Sequence, residues 1–248
     1  MTPSVTAIWR HPIKSHGREA LEAVTLTPGT TMPGDRVWAV AHEASQADGA
    51  QWEPCANFSR GAKAPGLMGI AARFDEDAGT VTLTHPERPE ITLDPDREGA
   101  RLVDWTKPLM PADRAASARV VRVPGRGMTD TDYPSVSIGN MATHRAISQK
   151  LGRDLSPIRW RINIWLDGLA PWEEFDWVGR EIRIGALRFA IREPITRCMA
   201  TTANPETGKR DTDTLGILNT WGHQDMGVYG EVIDGGSLTL SDPFEVLP

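Results

Sequence analysis

The amino-acid sequence predicts a mainly β protein with a few helices, an α+β fold built on a β-barrel-like core. Three observations carry this. The chain has 23 Gly and 19 Pro in 248 residues, high for a helical bundle and natural for short strands joined by tight turns. Short β-branched or alternating segments, each ending at turn residues, recur along its length. Only two segments keep helical spacing for more than a turn.

Strands are expected first at residues 5–10, 23–27, 36–41, 67–74, 80–84 and 91–93, with Asp75-Glu76-Asp77-Ala78-Gly79 as a hairpin turn. After Pro95 the chain is charged and turn-rich through Asp113. A boundary is placed there, giving a smaller N-terminal β-rich domain over 1–113 and a second domain over 114–248. The second domain opens with a strand at 119–123. Asn140 is the N-cap expected for a helix carrying Met141, Ile147 and Leu151 on one face, and Gly152 stops it. Residues 162–166 form an apolar strand, and 171–175 suit one helical turn. Strands at 181–184 and 187–191 are joined through Gly185-Ala186. Residues 213–221 make a short amphipathic helix with Leu215 and Leu218 inward. Residues 228–233 and 237–240 read as a closing hairpin around Asp234-Gly235-Gly236.

Composition is ordinary for a globular protein, 40% hydrophobic and 24% charged. Acidic residues number 33 against 27 basic ones, for a net charge of −6. That argues against a general nucleic-acid-binding surface, whose affinity comes from neutralising phosphates, yet permits a local basic pocket. No apolar run approaches the roughly 18 residues of a membrane span. Residues 1–10 lack the charged-then-apolar order of a secretory signal, so a cytoplasmic location is expected. Two cysteines, Cys55 and Cys198, rule out a disulfide framework. Phosphate-loop, dinucleotide, nucleophile-elbow and Cys-x-x-Cys signatures are absent, and the six histidines share no helical metal spacing.

Three clusters remain. Cys198 follows Arg197 just past a strand end; a neighbouring cation favours a thiolate, and thiolates are soft metal ligands. The plain alternative is an inert, buried strand-end cysteine. Lys14, with Ser15 beside it, and Arg36, after Gly34-Asp35, could together hold a phosphate, Lys as a point charge and Arg as a fork; read in isolation each is by default a solvated surface cation. In Arg159-Trp160-Arg161-Ile162-Asn163-Ile164, period two puts Arg159, Arg161 and Asn163 on one strand face. Cations leading into a core strand need a partner, either an anionic ligand or a carboxylate such as Glu173 or Glu174.

In this order the clusters resemble the MOSC family, named for the C-terminal domain of molybdenum-cofactor sulfurase, over nearly the whole chain. His11-Pro12-Ile13-Lys14-Ser15 and Gly34-Asp35-Arg36 resemble the β-barrel domain that precedes MOSC. Trp160-Arg161-Ile162-Asn163-Ile164, Thr196-Arg197-Cys198 and Asn204-Pro205-Glu206-Thr207-Gly208 resemble MOSC itself. Within the family the chain is similar to the mitochondrial amidoxime-reducing components and their bacterial counterparts. The resemblance implies a molybdenum-pterin cofactor (Mo-molybdopterin), with Cys198 as the thiolate ligand of the metal and the catalytic residue. It implies that Lys14, Ser15, Arg36, Arg161 and Asn163 bind that cofactor. It further implies reduction of N-hydroxylated small molecules, hydroxylamines or amidoximes, with electrons from a separate reductase or ferredoxin-like partner. Thr131-Asp132-Tyr133-Pro134 stands where these relatives carry Asp-Thr-Ser-Pro, so roles do not transfer there. Cys55 has no counterpart in the motif set and is read as structural.

Overall fold

The computed structural model describes residues 2–248. Its strands are β1 (Ser4–Arg10), β2 (Glu19–Leu21), β3 (Ala23–Leu26), β4 (Trp38–His42), β5 (Ala71–Asp75), β6 (Thr80–His85), β7 (Arg88–Leu93), β8 (Ser117–Arg122), β9 (Val136–Asn140), β10 (Ile164–Asp167), β11 (Glu181–Ile184), β12 (Leu187–Thr196), β13 (Asp225–Asp234), β14 (Gly236–Thr239) and β15 (Phe244–Val246). The α-helices are α1 (Gly99–Thr106), α2 (Met141–Leu151) and α3 (Thr214–Asn219). The fold is mainly β, as expected from the turn-rich composition.

Eight strands form one sheet in the order β15-β11-β12-β13-β9-β10-β1-β2. All pairs are antiparallel except β9–β10. The sheet is open, with β15 and β2 at its edges, and does not close into a barrel. Its apolar residues, among them Val5, Ile8, Ile138, Ile164, Phe189 and Val228, form one core. A second core around Ile13, Trp38, Leu67, Leu83, Leu102 and Trp105 lies under the β5-β6-β7 sheet and α1. The two halves of the chain interlace. β1 pairs with β10 and β3 with β14, whereas β8 pairs back with β4.

Several elements differ from the sequence expectation. Residues 228–240 do not form a hairpin: β14 pairs with β3, from Gly236 opposite Leu26 to Thr239 opposite Ala23. Gly235 permits this crossing, because a Cβ there would lie 2.6 Å from the Leu26 carbonyl oxygen and 2.7 Å from Pro28 Cδ. β9, near the centre of the main sheet, was not expected; its Ser-x-Gly-Asn composition carries little β signal although all five residues are buried. α1 lies inside the stretch read as turns and buries Leu102 and Trp105. β10 starts at Ile164 because Pro157–Trp160 forms a 3-10 turn that ends on Arg161 in the left-handed region. Arg159, Arg161 and Asn163 therefore do not share a strand face. β5 likewise begins only at Ala71, after a 3-10 turn over Pro65–Gly69. Among the described residues no helix is long and apolar enough to cross a membrane.

α2 follows its sequence signals closely. The Asn140 side chain accepts from Ala142 N, and Gly152 closes the helix at φ 70°. α3 is capped by Asp213 and buries Leu218, with Leu215 half-buried.

Candidate functional site

The site is built where the turns after β1 and before β4 meet the entry to β10. Lys14 N donates to Trp38 O at 2.7 Å, and His16 N donates to Ile13 O at 2.9 Å, closing a tight turn over Lys14-Ser15. Arg36 N donates to His11 O at 2.6 Å, while Arg36 O accepts from Met128 N at 2.7 Å. Among the described residues five non-glycine residues have positive φ, and three of them are Ser15 (63°), Arg36 (51°) and Arg161 (53°). Each such conformation costs about 1–2 kcal/mol, so the surrounding bonds hold these three residues where the chain alone would not.

Their side chains line one cavity of about 230 Å³, together with Lys14 and Cys198. Lys14 is buried, and its Nζ donates to Met128 O (2.7 Å), Thr129 O (3.2 Å) and Asp130 Oδ1 (2.6 Å). Arg36 forms an ion pair with Asp35, and its Nη2 donates to Arg161 O at 3.1 Å. Burial raises the Asp35 carboxyl, but Arg36 and the His11 contacts outweigh it and keep the group well below the usual carboxylate range.

Arg161 is incompletely satisfied. Its Nη1 donates to Gly17 O at 3.1 Å, and its buried Nη2 has no hydrogen-bond partner. Burial, reinforced by the neighbouring charge of Arg36, pushes its pKa down to about 9. The carboxylates suggested as partners are engaged elsewhere. Glu174 accepts from Asn140 Nδ2 (2.9 Å) and Thr143 Oγ1 (2.8 Å), and Glu173 accepts from Ala170 N (2.8 Å). Arg161 therefore lines the cavity as a guanidinium with one donor unpaired.

Asn163 does not line the cavity. It is buried behind it, where its Oδ1 accepts from Ser137 Oγ at 2.7 Å and its Nδ2 donates to Trp9 O at 3.0 Å. It ties β1, β9 and the Arg36 side chain together. Cys198 is exposed at the cavity mouth, so the inert-core alternative does not hold. Thr201 N and Thr201 Oγ1 donate to its carbonyl oxygen, at 3.1 and 3.0 Å, and fix the turn that presents the thiol. Arg197 turns inward, donating to Trp160 O and Met226 O at 2.8 Å each, and burial lowers it to about 10.

Sequence reasoning missed several lining residues. Asp130 immediately precedes the Thr131–Pro134 stretch whose roles do not transfer, and Tyr229 comes from a segment without a motif. Burial and the Asp130 charge push the Tyr229 phenol up, which keeps it protonated. Cys55, expected to be structural, lines the same cavity as Cys198, and Arg60 Nη1 donates to its Sγ at 3.1 Å. Among the described residues no three His, Cys, Asp or Glu side chains gather to hold a metal by themselves. The donor set suits a composite ligand: an exposed soft sulfur, convergent cations, and two buried N–H donors, Arg159 Nε and Arg161 Nη2, lacking acceptors.

Comparison with known proteins gives the family. The model of the MOSC N-terminal beta barrel domain matches residues 2–123, and that of the MOSC domain matches 129–245. The chain belongs to the MOSC family, its two family segments in succession over nearly its whole length. A 155-residue stretch is 27% identical to the molybdenum cofactor sulfurase of Drosophila ananassae, covering 58% of this chain but only 19% of that protein. Among solved structures, YuaD from Bacillus subtilis is 10% identical over 99% of this chain and 96% of its own, with a TM-score of 0.45. YiiM from Geobacillus stearothermophilus is 16% identical over 46% and 54%, with a TM-score of 0.36. Those two likenesses are too distant to bear on function.

Proposed function

We propose that this chain binds a molybdenum-pterin cofactor in the cavity and reduces N-hydroxylated small molecules such as hydroxylamines or amidoximes. The observation that carries the reading is the sharing of one cavity by an exposed thiol, Cys198, and a buried guanidinium, Arg161, with an open donor. Cys198 Sγ would ligate the metal, as soft sulfur suits molybdenum. Arg161 Nη2, Arg36, Lys14 and Ser15 would hold the cofactor's anionic phosphate and pterin edge, charge-assisted donors being the strong ones. When bound, the cofactor supplies two-electron redox chemistry at a sulfur-held metal. Asn163 acts from behind, orienting Arg36 and Ser137. Tyr229, held protonated, offers its phenol as a hydrogen-bond donor at the cavity wall.

Electrons would come from a separate reductase or ferredoxin-like protein, because two cysteines are too few to hold an iron–sulfur cluster. A second reading is a carrier of cofactor or of sulfur, with a persulfide on Cys198. It is favoured by the exposure of that thiol and by the likeness to a sulfurase. Metal content separates the two. Protein made in a cofactor-proficient host is expected to carry near-stoichiometric molybdenum, and Cys198→Ser to lose it. Full metal retention by the variant removes the ligand assignment. Metal-bearing protein that turns over no N-hydroxylated substrate with a competent electron donor removes the reductase reading.

A further inference from the structure

Six cations line the cavity, Lys14, Arg36, Arg60, Arg159, Arg161 and Arg197, against the carboxylate of Asp130. Lys14 pairs with Asp130, Arg36 with Asp35 and Arg159 with Asp211. Arg197 directs its donors to the carbonyls of Trp160 and Met226. Among the described residues Arg60, Arg161 and Arg197 are left without a carboxylate; Arg197 is engaged by those carbonyls, and the other two stand in different parts of the wall. Arg161 is joined to Arg36, which donates to its carbonyl oxygen. Arg60 instead lies beside the turn that follows Cys198. A Cβ on Gly61 would sit 3.4 Å from Ala200 Cβ, and Arg210 Nη2 donates to Ala62 O at 2.9 Å.

The Arg60 side chain makes one hydrogen bond, Nη1 to Cys55 Sγ. That bond orients the guanidinium and leaves most of its five N–H donors free. A phosphate on the Lys14–Arg36–Arg161 group does not neutralise a second guanidinium next to the thiol's own turn. A planar fork in this position matches a carboxylate. Resting on the reductase reading above, we propose that Arg60 anchors a carboxylate of the substrate, so that the compounds reduced here are N-hydroxylated molecules bearing a carboxylate. Cys55 is the positioning residue that sets the fork.

The test uses molybdenum-loaded protein, an artificial electron donor, and two substrates, 4-carboxybenzamidoxime and benzamidoxime. Arg60→Gln is expected to lower the ratio of kcat/KM for the carboxylate over the neutral substrate by about tenfold, while Arg60→Lys retains part of it. Molybdenum content should match the unmodified protein. An unchanged ratio overturns the proposal. So does loss of molybdenum in Arg60→Gln, which would assign the residue to the cofactor. Calorimetric binding of the product pair, 4-amidinobenzoate and benzamidine, is measured alongside. If neither substrate turns over, the reductase reading fails, and the binding pair then decides: an Arg60-dependent preference for 4-amidinobenzoate upholds the anchor, and its absence overturns it.

Discussion

Arg161 shows how a single residue can be set against the stability of the fold. It is held at positive φ, its Nη2 is buried without a partner, and burial with the Arg36 charge lowers it to about 9 from its ordinary value above 12. A folded-state value below the unfolded one means the charged form is disfavoured on folding throughout the neutral range. Removing the charge should therefore stabilise the cofactor-free chain. Arg161→Asn also suits the left-handed backbone. Its Tm is expected to rise by about 2–4 °C, the shift that roughly 1 kcal/mol gives in a chain of this size. Inorganic phosphate should raise the Tm of the unmodified protein but not of the variant. Thermal scans with and without phosphate check both statements, and a fall in the variant's Tm would contradict them.

At the scale of elements, the site depends on where strands begin and end. β12 and β13 pair with a register shift between Pro194 and Thr196, and Gly227 lies opposite this irregularity. Gly227 has φ 76°, and a Cβ there would be 2.7 Å from Ile138 O, so only glycine lets β13 pass this close to β9. The shift occurs just before Arg197 and Cys198. The junction of β9 and α2 depends on Asn140. Its side chain accepts from Ala142 N and donates to Ala170 O (2.7 Å) and to the buried Glu174 carboxylate (2.9 Å). Asn140→Ala removes the cap and leaves Glu174 one donor short. The expected loss is about 2–4 kcal/mol, read from urea unfolding. A loss no larger than that of an exposed cap would show that Glu174 finds another donor.

For the whole molecule, buried histidines set the response to acid. Burial, the largest cause for each, lowers His11 to about 3 and His16 and His144 to about 4. The unfolded chain binds these protons near pH 6.5, whereas the folded chain refuses them until about pH 4 or lower. Stability is thus unaffected by these groups above pH 6.5 and falls as the pH drops from there toward 4. At pH 5 these three histidines alone should make unfolding take up about three protons. The pH dependence of the unfolding free energy measures this number, and a flat profile between pH 6.5 and 5 would refute it. The same burial places His11 against Asp35, which holds Arg36. Acid stability and the cation-lined cavity therefore share one set of contacts.

Much of this was legible in the sequence because it rests on local chemistry. Asn140 and Gly152 mark the ends of α2, Gly185 turns β11 into β12, and alternation marks β1 and β6. Lys14, Ser15, Arg36, Arg161 and Cys198 were selected by residue type and order, and the fold brings all five to one cavity. Other features are not local and only the tertiary structure decided them. β9 is a strand because β13 and β10 flank it, and β14 joins β3 because close backbone approach at Gly235 allows it. Asn163 was drawn behind the wall by Ser137 and Trp9, whereas Cys55 and Arg60 were brought into it from a loop with no motif. A sequence states which groups can ligate and where turns are permitted; which groups meet is settled by strand pairing and burial between residues more than a hundred positions apart.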